Sequence, residues 1–244
     1  MSKLSGKTVL VTGGGSGIGL ATARLLLDEE ARVAISGRNE DKLRRAAEEL
    51  NAGERLLYHA ADITDLSQVE TLVQETTRRL GRIDILVNNA GLNIKERTFR
   101  ELTPENWHLL LGANLHGAFY CIRAVLPQMR QNHEGLIINI NSISGKRSNP
   151  LGGLAYNAAK FGLRGLAMGL AAEEKDNGIR VCNIYPGEVN TPILDVRPTP
   201  VSEERRGTML QPEDVAAAVL FIATLPPRAS IPELVITPAN AMYV

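Results

Sequence analysis

Short, almost uninterrupted apolar runs alternate along the chain with longer stretches in which apolar and charged residues recur at helical spacing. The apolar runs predict seven strands, at 8–11, 32–36, 56–60, 83–87, 136–141, 180–184 and 234–236. The stretches between them predict helices at 18–30, 40–50, 66–80, 104–131, 155–176 and 211–224. Apolar strands separated by helices are typical of a parallel sheet that is buried on both faces. With right-handed crossovers, the pattern predicts a three-layer α/β fold, in which a doubly wound parallel sheet carries helices on both faces.

Length and charge favour one soluble domain. The 244 residues suit a single α/β unit, since such folds often run to about 200–250 residues, and we expect 1–244 to fold as one. Lys and Arg number 27, as do Asp and Glu, so no basic surface for nucleic acid is expected. The chain has no run of 18 apolar residues and no signal-peptide core near its start. We therefore expect a cytoplasmic protein that does not enter a membrane.

Cysteines and histidines give no sign of a metal site. Cys121 and Cys182 lie in apolar runs outside any CxxC motif or Cys/His cluster, which is typical of buried free thiols. The histidines lack ligand spacing and are interpreted as structural or exposed; they are His59, His108, His116 and His133. The sequence therefore predicts no bound metal.

One segment, 191–208, interrupts the alternation of strands and helices. Its sequence, TPILDVRPTPVSEERRGT, contains three prolines and mixed charge without clear periodicity. A long structureless loop in a compact domain is often functional. We therefore expect a substrate loop or lid at about 188–210.

A glycine-rich turn, TGGGSGIG over 12–19, joins the first strand to the first helix. Glycines permit a tight turn and close backbone approach, and the helix start offers free N–H groups to a pyrophosphate. The position inside a strand–helix–strand unit favours dinucleotide binding, and so a Rossmann-type sheet, over a turn that serves packing alone. The residues expected to hold the cofactor here are Gly13, Ser16, Gly17, Ile18 and Gly19.

The spacing of these glycines, TGxxxGxG, resembles the short-chain dehydrogenase/reductase family in its branch of about this chain length. Further matches follow in order: Asp62-Ile63, NNAG over 88–91, Asn114, Ser142, YxxxK over 156–160 and PGxxxT over 186–191. The resemblance covers nearly the whole chain and implies a nicotinamide cofactor. The contacts that it implies are Asp62, Ile63, Asn89, Ala90, Gly91, Tyr156, Lys160, Pro186, Gly187, Val189 and Thr191.

Tyr156 and Lys160 lie four residues apart on a predicted helix and so share a face. A nearby ammonium lowers the pKa of a phenol, which predicts Tyr156 as the acid/base for a carbonyl or an alcohol. By resemblance, Ser142 would position the reacting oxygen, Asn114 would hold a relay water, and Lys160 would also hold the nicotinamide ribose. A YxxxK pair alone is more often a core tyrosine and a surface lysine; the accompanying motifs favour catalysis.

The end of the second strand, Ser36-Gly37-Arg38-Asn39, bears on the choice of cofactor. It lacks the carboxylate with which an NAD site binds the ribose 2′-OH. Arg38 offers instead a guanidinium fork for a 2′-phosphate, so NADP(H) is preferred and NAD(H) is the alternative. Two points oppose this: Arg38 could be a solvated arginine that opens a charged helix, and Ser16 stands where many NADP-using relatives carry a basic residue.

The substrate mouth, by resemblance, is formed by 143–153 and 188–210. Its basic residues would suit an anionic substrate such as a hydroxy acid; they are Lys146, Arg147, Arg197, Arg205 and Arg206. The acidic residues interspersed among them favour ordinary loop charges; they are Glu188, Asp195, Glu203 and Glu204.

Small residues form a stripe on the helix after position 155, at Ala158, Gly162, Gly165 and Gly169. Such a stripe permits close packing of another helix. The resemblance favours a subunit interface built from this helix and the one that begins at Pro104, and hence a homodimer or homotetramer. Packing within the chain is the alternative.

Taken together, these features predict an oxidoreductase that transfers hydride between NADP(H) and a carbonyl or secondary-alcohol substrate. An NAD(H)-dependent alcohol or hydroxy-acid dehydrogenase of the same family is one alternative. A non-catalytic NAD(P)-binding regulatory or scaffold protein is another, which the joint presence of Asn114, Ser142, Tyr156 and Lys160 disfavours. Fold alone would not decide among these functions.

Overall fold

All seven predicted strands are present in the computed structural model, which describes residues 2–241. They form one parallel sheet in the order β3-β2-β1-β4-β5-β6-β7, so the doubly wound fold is confirmed. Residue 1 and residues 242–244 of the expected domain lie outside the described range. The strands are β1 (Thr8–Thr12), β2 (Arg32–Gly37), β3 (Leu56–Ala60), β4 (Ile85–Asn88), β5 (Gly135–Ile140), β6 (Ile179–Pro186) and β7 (Glu233–Ile236).

Helices cover both faces of the sheet. They are α1 (Gly17–Asp28), α2 (Glu40–Leu50), α3 (Leu66–Leu80), α4 (Pro104–Leu111), α5 (Gly117–Asn132), α6 (Leu154–Glu174), α7 (Glu203–Gly207) and α8 (Pro212–Ala223). One apolar cluster lies between the sheet and α1, α2 and α8, and a second lies between the sheet and α3, α5 and α6. Cys121 and Cys182 are buried free thiols in these clusters. The two clusters correspond to the two interfaces of a three-layer fold.

Local signals in the sequence set several helix ends. The Asp65 side chain accepts hydrogen bonds from the Ser67 and Gln68 backbone at the start of α3, and Gly81 ends that helix at the predicted position with φ +92°. Thr103 caps α4 by accepting from the Asn106 N–H at 3.2 Å. These caps satisfy backbone groups that the helix itself leaves unpaired.

The predicted helix over 104–131 is present but interrupted. A π turn at Gly112–His116 separates α4 from α5; such insertions are frequent at functional sites. The whole run Pro104–Asn132 is long and apolar enough, by length and composition, to cross a membrane, but half of its most apolar stretch is buried within the fold. Its apolar side chains pack against α3, α6 and the sheet.

The segment 191–208 is not the structureless loop that its composition predicted. A 3₁₀ turn occupies Pro192–Val196, and α7 occupies Glu203–Gly207. The turn starts at a proline that sets the first helical position, and α7 is capped by Ser202, which accepts from the Arg205 N–H at 3.3 Å. Local capping therefore produced short helices that the hydrophobic pattern did not reveal.

The strand order reverses between β1 and β4, which pair directly with each other. In open parallel sheets, this reversal leaves a crevice at the carboxyl ends of the strands, where ligands bind. The connections that follow β1, β4, β5 and β6 all open on that side. Apart from Arg38 after β2 and Asp62-Ile63 after β3, the predicted site residues lie on these four connections, so the topology alone assembles them at one edge of the sheet.

Candidate active site

A cavity of about 650 Å³ opens at the carboxyl ends of the strands. Every residue predicted to bind cofactor or to act in catalysis lines it, except Gly19. Gly19 is buried directly behind the wall, where a Cβ would lie 2.4 Å from the Gly13 carbonyl oxygen. Residues that are up to 178 positions apart in the sequence, from Gly13 to Thr191, therefore share one cavity.

The glycine-rich turn forms a cradle that side chains would fill. Gly13 has φ +67°, and a Cβ there would lie 2.9 Å from both the Ala90 Cα and the Asn89 side chain. Gly17 has φ +53°, and a Cβ there would lie 3.2 Å from the Thr191 Cγ2. Positive φ and close approach both require glycine, and the first N–H groups of α1 lie beside this turn. The cradle has the form that a dinucleotide pyrophosphate needs.

Thr12 and Asn89 join the ends of β1 and β4 beneath the cradle. The Thr12 hydroxyl accepts from the Asn89 and Ala90 backbone N–H groups, each at 3.0 Å. In return, the Asn89 side chain donates to the Thr12 carbonyl oxygen at 2.9 Å. Sequence reasoning did not include Thr12 among the site residues, although it opens the TGxxxGxG motif. Its role is to hold the cavity floor in place.

At the far end of the cavity, two cations line the wall. Arg38 is exposed and follows β2, and Lys42 lies one turn into α2; neither forms an ion pair with any residue of the described chain. Asp41 is turned to Arg44, at 3.1 Å, and does not line the cavity. The Asp62 carboxylate accepts from the Thr64 N–H and hydroxyl, at 2.9 and 2.8 Å. Lys42 was not predicted from the sequence.

Tyr156 and Ser142 both line the cavity, and the Ser142 side chain favours the phenolate form of Tyr156. The Lys160 ammonium lies over the Tyr156 ring, 5.5 Å from its centroid, and donates to the Ile140 carbonyl oxygen at 3.0 Å. Ser144, the other serine of the NSIS stretch, instead accepts a hydrogen bond from the Asn149 side chain at 3.1 Å. Ser142, rather than Ser144, is therefore the serine beside the tyrosine.

The pKa of Tyr156 differs from the sequence-based expectation. Burial raises the pKa of this phenol, although the hydrogen bond with Ser142 and the charge of Arg97 act in the opposite direction. Burial also lowers the pKa of Lys160 to about 8. The expectation that the ammonium alone would lower the tyrosine pKa is thus wrong for the chain without ligands, because excluding water disfavours the charged form of both groups.

Asn114 lies in the π turn and points toward the same centre. Its amide donates to the carbonyl oxygens of Leu92 and Leu110, at 2.8 and 2.9 Å. A Cβ added at Gly91 would lie 2.7 Å from the Asn114 Oδ1 and 3.9 Å from the Lys160 Nζ. Gly91 therefore keeps a gap open between Asn114 and Lys160.

Four of the predicted basic residues of the substrate mouth form ion pairs within the described chain: Lys146, Arg197, Arg205 and Arg206. Lys146 pairs with Glu233 at 2.6 Å, and Arg206 pairs with Asp195 at 2.7 Å. Glu188 accepts from both Arg197 and Arg205, at 3.1 and 3.0 Å. These pairings support the interpretation that most of the charges in this region are ordinary loop charges.

Sequence reasoning missed Arg97, which lines the cavity beside Tyr156. The side chain is buried, at 6% exposure, and each guanidinium nitrogen donates to a backbone carbonyl. The acceptors are Ile94, Leu151 and Val196, at 2.8, 2.7 and 2.6 Å. No motif surrounds Arg97 in the sequence; only the fold brings it between the loop before α6 and the segment after β6.

Comparison with known proteins agrees with this fold and site. Residues 7–200 match the family model for short chain dehydrogenase. An uncharacterized oxidoreductase of Staphylococcus aureus (strain MRSA252) is 33% identical over 238 residues, covering 98% of this chain and 100% of the relative. The fold and the site define an oxidoreductase of the nucleotide-binding α/β class. More narrowly, the chain belongs to the short-chain dehydrogenase family.

Two solved structures illustrate the similarity. A serine dehydrogenase complexed with NADP+ has 31% identity and a TM-score of 0.89, with 97% of this chain and 96% of that chain covered. A 3-ketoacyl-(acyl-carrier-protein) reductase from Brucella melitensis, complexed with NADH, has 29% identity and a TM-score of 0.89, with coverage of 98% and 100%. One structure therefore carries NADP+ and the other NADH.

Proposed function

We propose that the protein is an NADP(H)-dependent oxidoreductase that interconverts a carbonyl compound and a secondary alcohol, with Tyr156 as the general acid/base. The observation that carries this proposal is that Tyr156 and Ser142 line the same cavity as the glycine cradle, with the buried Lys160 ammonium 5.5 Å from the centroid of the Tyr156 ring. A phenol and a serine hydroxyl in one cavity can both hydrogen-bond the reacting oxygen atom of a substrate.

The cavity wall suits a nicotinamide dinucleotide along its whole length. The cradle at Gly13 and Gly17 would hold the pyrophosphate, and the Ile63 and Ala90 segments would flank the adenosine half. Thr191 and Val189 would border the nicotinamide half, next to Tyr156. When bound, the nicotinamide supplies or accepts the hydride. The NADP+ and NADH of the two similar structures support a nicotinamide cofactor for this chain.

The preference for NADP(H) is supported by the two cations at the far end of the cavity. Arg38 and Lys42 line the wall there without acidic partners in the described chain. A guanidinium and an ammonium together would neutralise a 2′-phosphate. The carboxylate expected of an NAD site has no counterpart at this point, since Asp41 faces Arg44.

Proton transfer is the task of the chain's own residues. In reduction, the Tyr156 hydroxyl donates its proton to the carbonyl oxygen as hydride reaches the carbon; in oxidation, the phenolate accepts the alcohol proton. Ser142 holds the reacting oxygen by a hydrogen bond. The positive charge of Arg97 favours the phenolate against the cost of burial. The gap between Asn114 and Lys160 has room for the proton-relay water that the family resemblance implies.

A first experiment tests the reaction class. The purified protein is incubated with NADPH and a panel of ketones, oxo acids and β-ketoacyl thioesters, and loss of NADPH absorbance is recorded. We expect turnover with at least one carbonyl class, and its loss in the Tyr156→Phe variant. NADPH binding without turnover of any carbonyl or alcohol would instead support a non-catalytic protein.

We also propose that the chain forms a homodimer or homotetramer through α5 and α6. Gly165 and Gly169 have open space where a Cβ would lie, and Phe119, Phe161 and Met168 are exposed nearby on these two helices. Large exposed apolar side chains beside small residues favour close helix packing. Gly162, in contrast, already packs against Leu115, so part of the stripe serves the chain's own fold.

A further inference from the structure

Arg97 is a buried cation on the cavity wall. The proton-transfer scheme uses only its charge and leaves its capacity to bind a ligand unused. It is 6% exposed, and it pairs with no carboxylate in the described part of the chain; its hydrogen bonds go to backbone carbonyls. Burying an ion costs free energy unless a counter-ion or good hydrogen bonds compensate it. The compensation here comes from neutral carbonyl groups alone.

The other basic residues near the mouth contrast with Arg97. Arg197 and Arg205 share Glu188, and Lys146 binds Glu233. Each of these three cations therefore has a carboxylate partner within the described chain. Arg97 presents a positive charge to the cavity that nothing on the cavity wall neutralises, although Glu188 lies on the same wall.

The guanidinium has donors left for a ligand. It carries five N–H groups, of which three donate to the carbonyl oxygens of Ile94, Leu151 and Val196. One N–H on each Nη atom remains. Two such donors match the two oxygens of a carboxylate, whereas a phosphate group would call for more donors or a second cation.

The three hydrogen bonds to carbonyl oxygens also hold the planar Arg97 guanidinium rigidly. They come from the connection after β4, the loop before α6 and the segment after β6. Because the guanidinium is already immobilised, binding an anion costs little additional side-chain entropy. Arg97 and Tyr156 line the same cavity, so one small substrate can meet both the guanidinium and the phenol.

We propose that Arg97 binds the carboxylate of the substrate, and that this substrate is a short-chain hydroxy acid or the corresponding oxo acid. This inference rests on the proposed function. In oxidation, the carbinol carbon loses its C–H electron pair as hydride to NADP+, and the hydroxyl proton passes to Tyr156. A C=O bond forms, two electrons reach the cofactor, and the carboxylate stays unchanged on Arg97.

Steady-state kinetics on an acid and its neutral analogue test the proposal. Short α- and β-hydroxy acids are compared with their methyl esters, in the wild type and in Arg97→Gln. We expect kcat/KM to favour the preferred acid over its ester by about 100-fold in the wild type, and this preference to fall to within about threefold in the variant. Arg97→Lys, which keeps the charge but loses the fork, should retain an intermediate preference.

Arg100→Gln is the matched control, since Arg100 is exposed in the same connection and does not line the cavity; it should keep the wild-type acid preference. An equal loss of acid and ester turnover in Arg97→Gln would show that Arg97 only ties the loops together. A wild type that oxidises neutral alcohols as well as hydroxy acids would also overturn the inference, while leaving the proposed function intact.

A binding measurement separates this inference from turnover. The tertiary hydroxy acids α-hydroxyisobutyrate and β-hydroxy-β-methylbutyrate have no carbinol hydrogen and cannot be oxidised. In the presence of NADP+, at least one should raise the melting temperature of the wild type, whereas its methyl ester and the Arg97→Gln variant should show no such rise. If Arg97→Gln does not fold, the comparison of acid and ester on the wild type tests the proposal by itself. An equal rise in melting temperature with the acid and with its ester would contradict the proposal.

Discussion

The Lys160 ammonium lies over the Tyr156 ring, 5.5 Å from its centroid, while its hydrogen bond goes to the Ile140 carbonyl oxygen. The ammonium is therefore held over the phenol ring by the end of β5. Both groups are shielded from water, which raises the pKa of Tyr156 and lowers that of Lys160 to about 8. The burial of these two groups therefore affects both the stability of the fold and the proposed proton transfer.

The depressed pKa of Lys160 has a consequence for stability against pH. Between about pH 8 and the unfolded value of 10.5, the unfolded chain binds more protons than the folded chain, so the free energy of unfolding contributed by this group rises with pH. Relative to Lys160→Met, the wild type should gain up to about 3 kcal/mol between pH 7.5 and pH 10. Urea unfolding of both proteins at several pH values measures the difference; a difference that stays constant would contradict burial of the ammonium.

Removing the phenol oxygen tests the acid/base role. Tyr156→Phe should lower kcat by about 10²–10⁴, because no other hydroxyl replaces the proton donor, while the Kd for NADPH changes by less than about threefold. Stopped-flow kinetics and a fluorescence titration provide the two values. Tyr120→Phe, on α5 and outside the cavity, is the control and should retain activity. Retained turnover in Tyr156→Phe would refute the role.

Reversing the charge at position 38 tests the cofactor preference. Arg38→Asp removes a charge-assisted partner and adds repulsion toward a 2′-phosphate, so the ratio of kcat/KM for NADPH to that for NADH should fall at least about 100-fold. Arg45→Asp is the control, since Arg45 is exposed on α2, the helix that follows Arg38, but does not line the cavity. An unchanged ratio would remove Arg38 from the cofactor site.

The glycine cradle can be tested with a matched pair of substitutions. Gly13→Ala places a Cβ 2.9 Å from the Ala90 Cα at a positive φ, whereas Gly53→Ala meets a similar φ of +56° with open space around it. Gly53→Ala should lose about 1–2 kcal/mol of stability from the strained backbone, and Gly13→Ala should lose more, because its Cβ also meets the Ala90 backbone. Only Gly13→Ala should also raise the Kd for NADPH, at least about tenfold, as calorimetry would show. Equal NADPH affinities of the two variants would contradict a role of the glycine cradle in binding the cofactor.

The proposed interface is tested at Gly165. Leucine fits there within the single chain, because a Cβ meets nothing within 4 Å, but it would block the close approach of a second helix. Gly165→Leu should therefore lower the mass measured by light scattering, without loss of helical content. Gly207→Leu, which also has open space but lies on α7, should keep the wild-type mass. An unchanged mass in Gly165→Leu would favour packing within the chain alone.

The sequence by itself determined the fold class and the assembly of most of the site. Apolar runs placed all seven strands, because a strand buried on both faces must be apolar at consecutive positions. Motifs at the carboxyl ends of β1, β4, β5 and β6 then had to meet, since parallel strands bring those ends to one edge. Tyr156 and Lys160 could be paired from their spacing, because residues four apart share one face of a helix.

Tertiary structure decided the electrostatics of the site. Arg97 became a site residue through hydrogen bonds to carbonyls 54 and 99 positions away, a separation at which no local pattern exists. The raised pKa of Tyr156 depends on burial, and the ion pairs at the mouth depend on which arginine meets which acid. Spacing along the chain determines which groups share an element; the desolvation and pairing of those groups depend on what the rest of the fold packs around them.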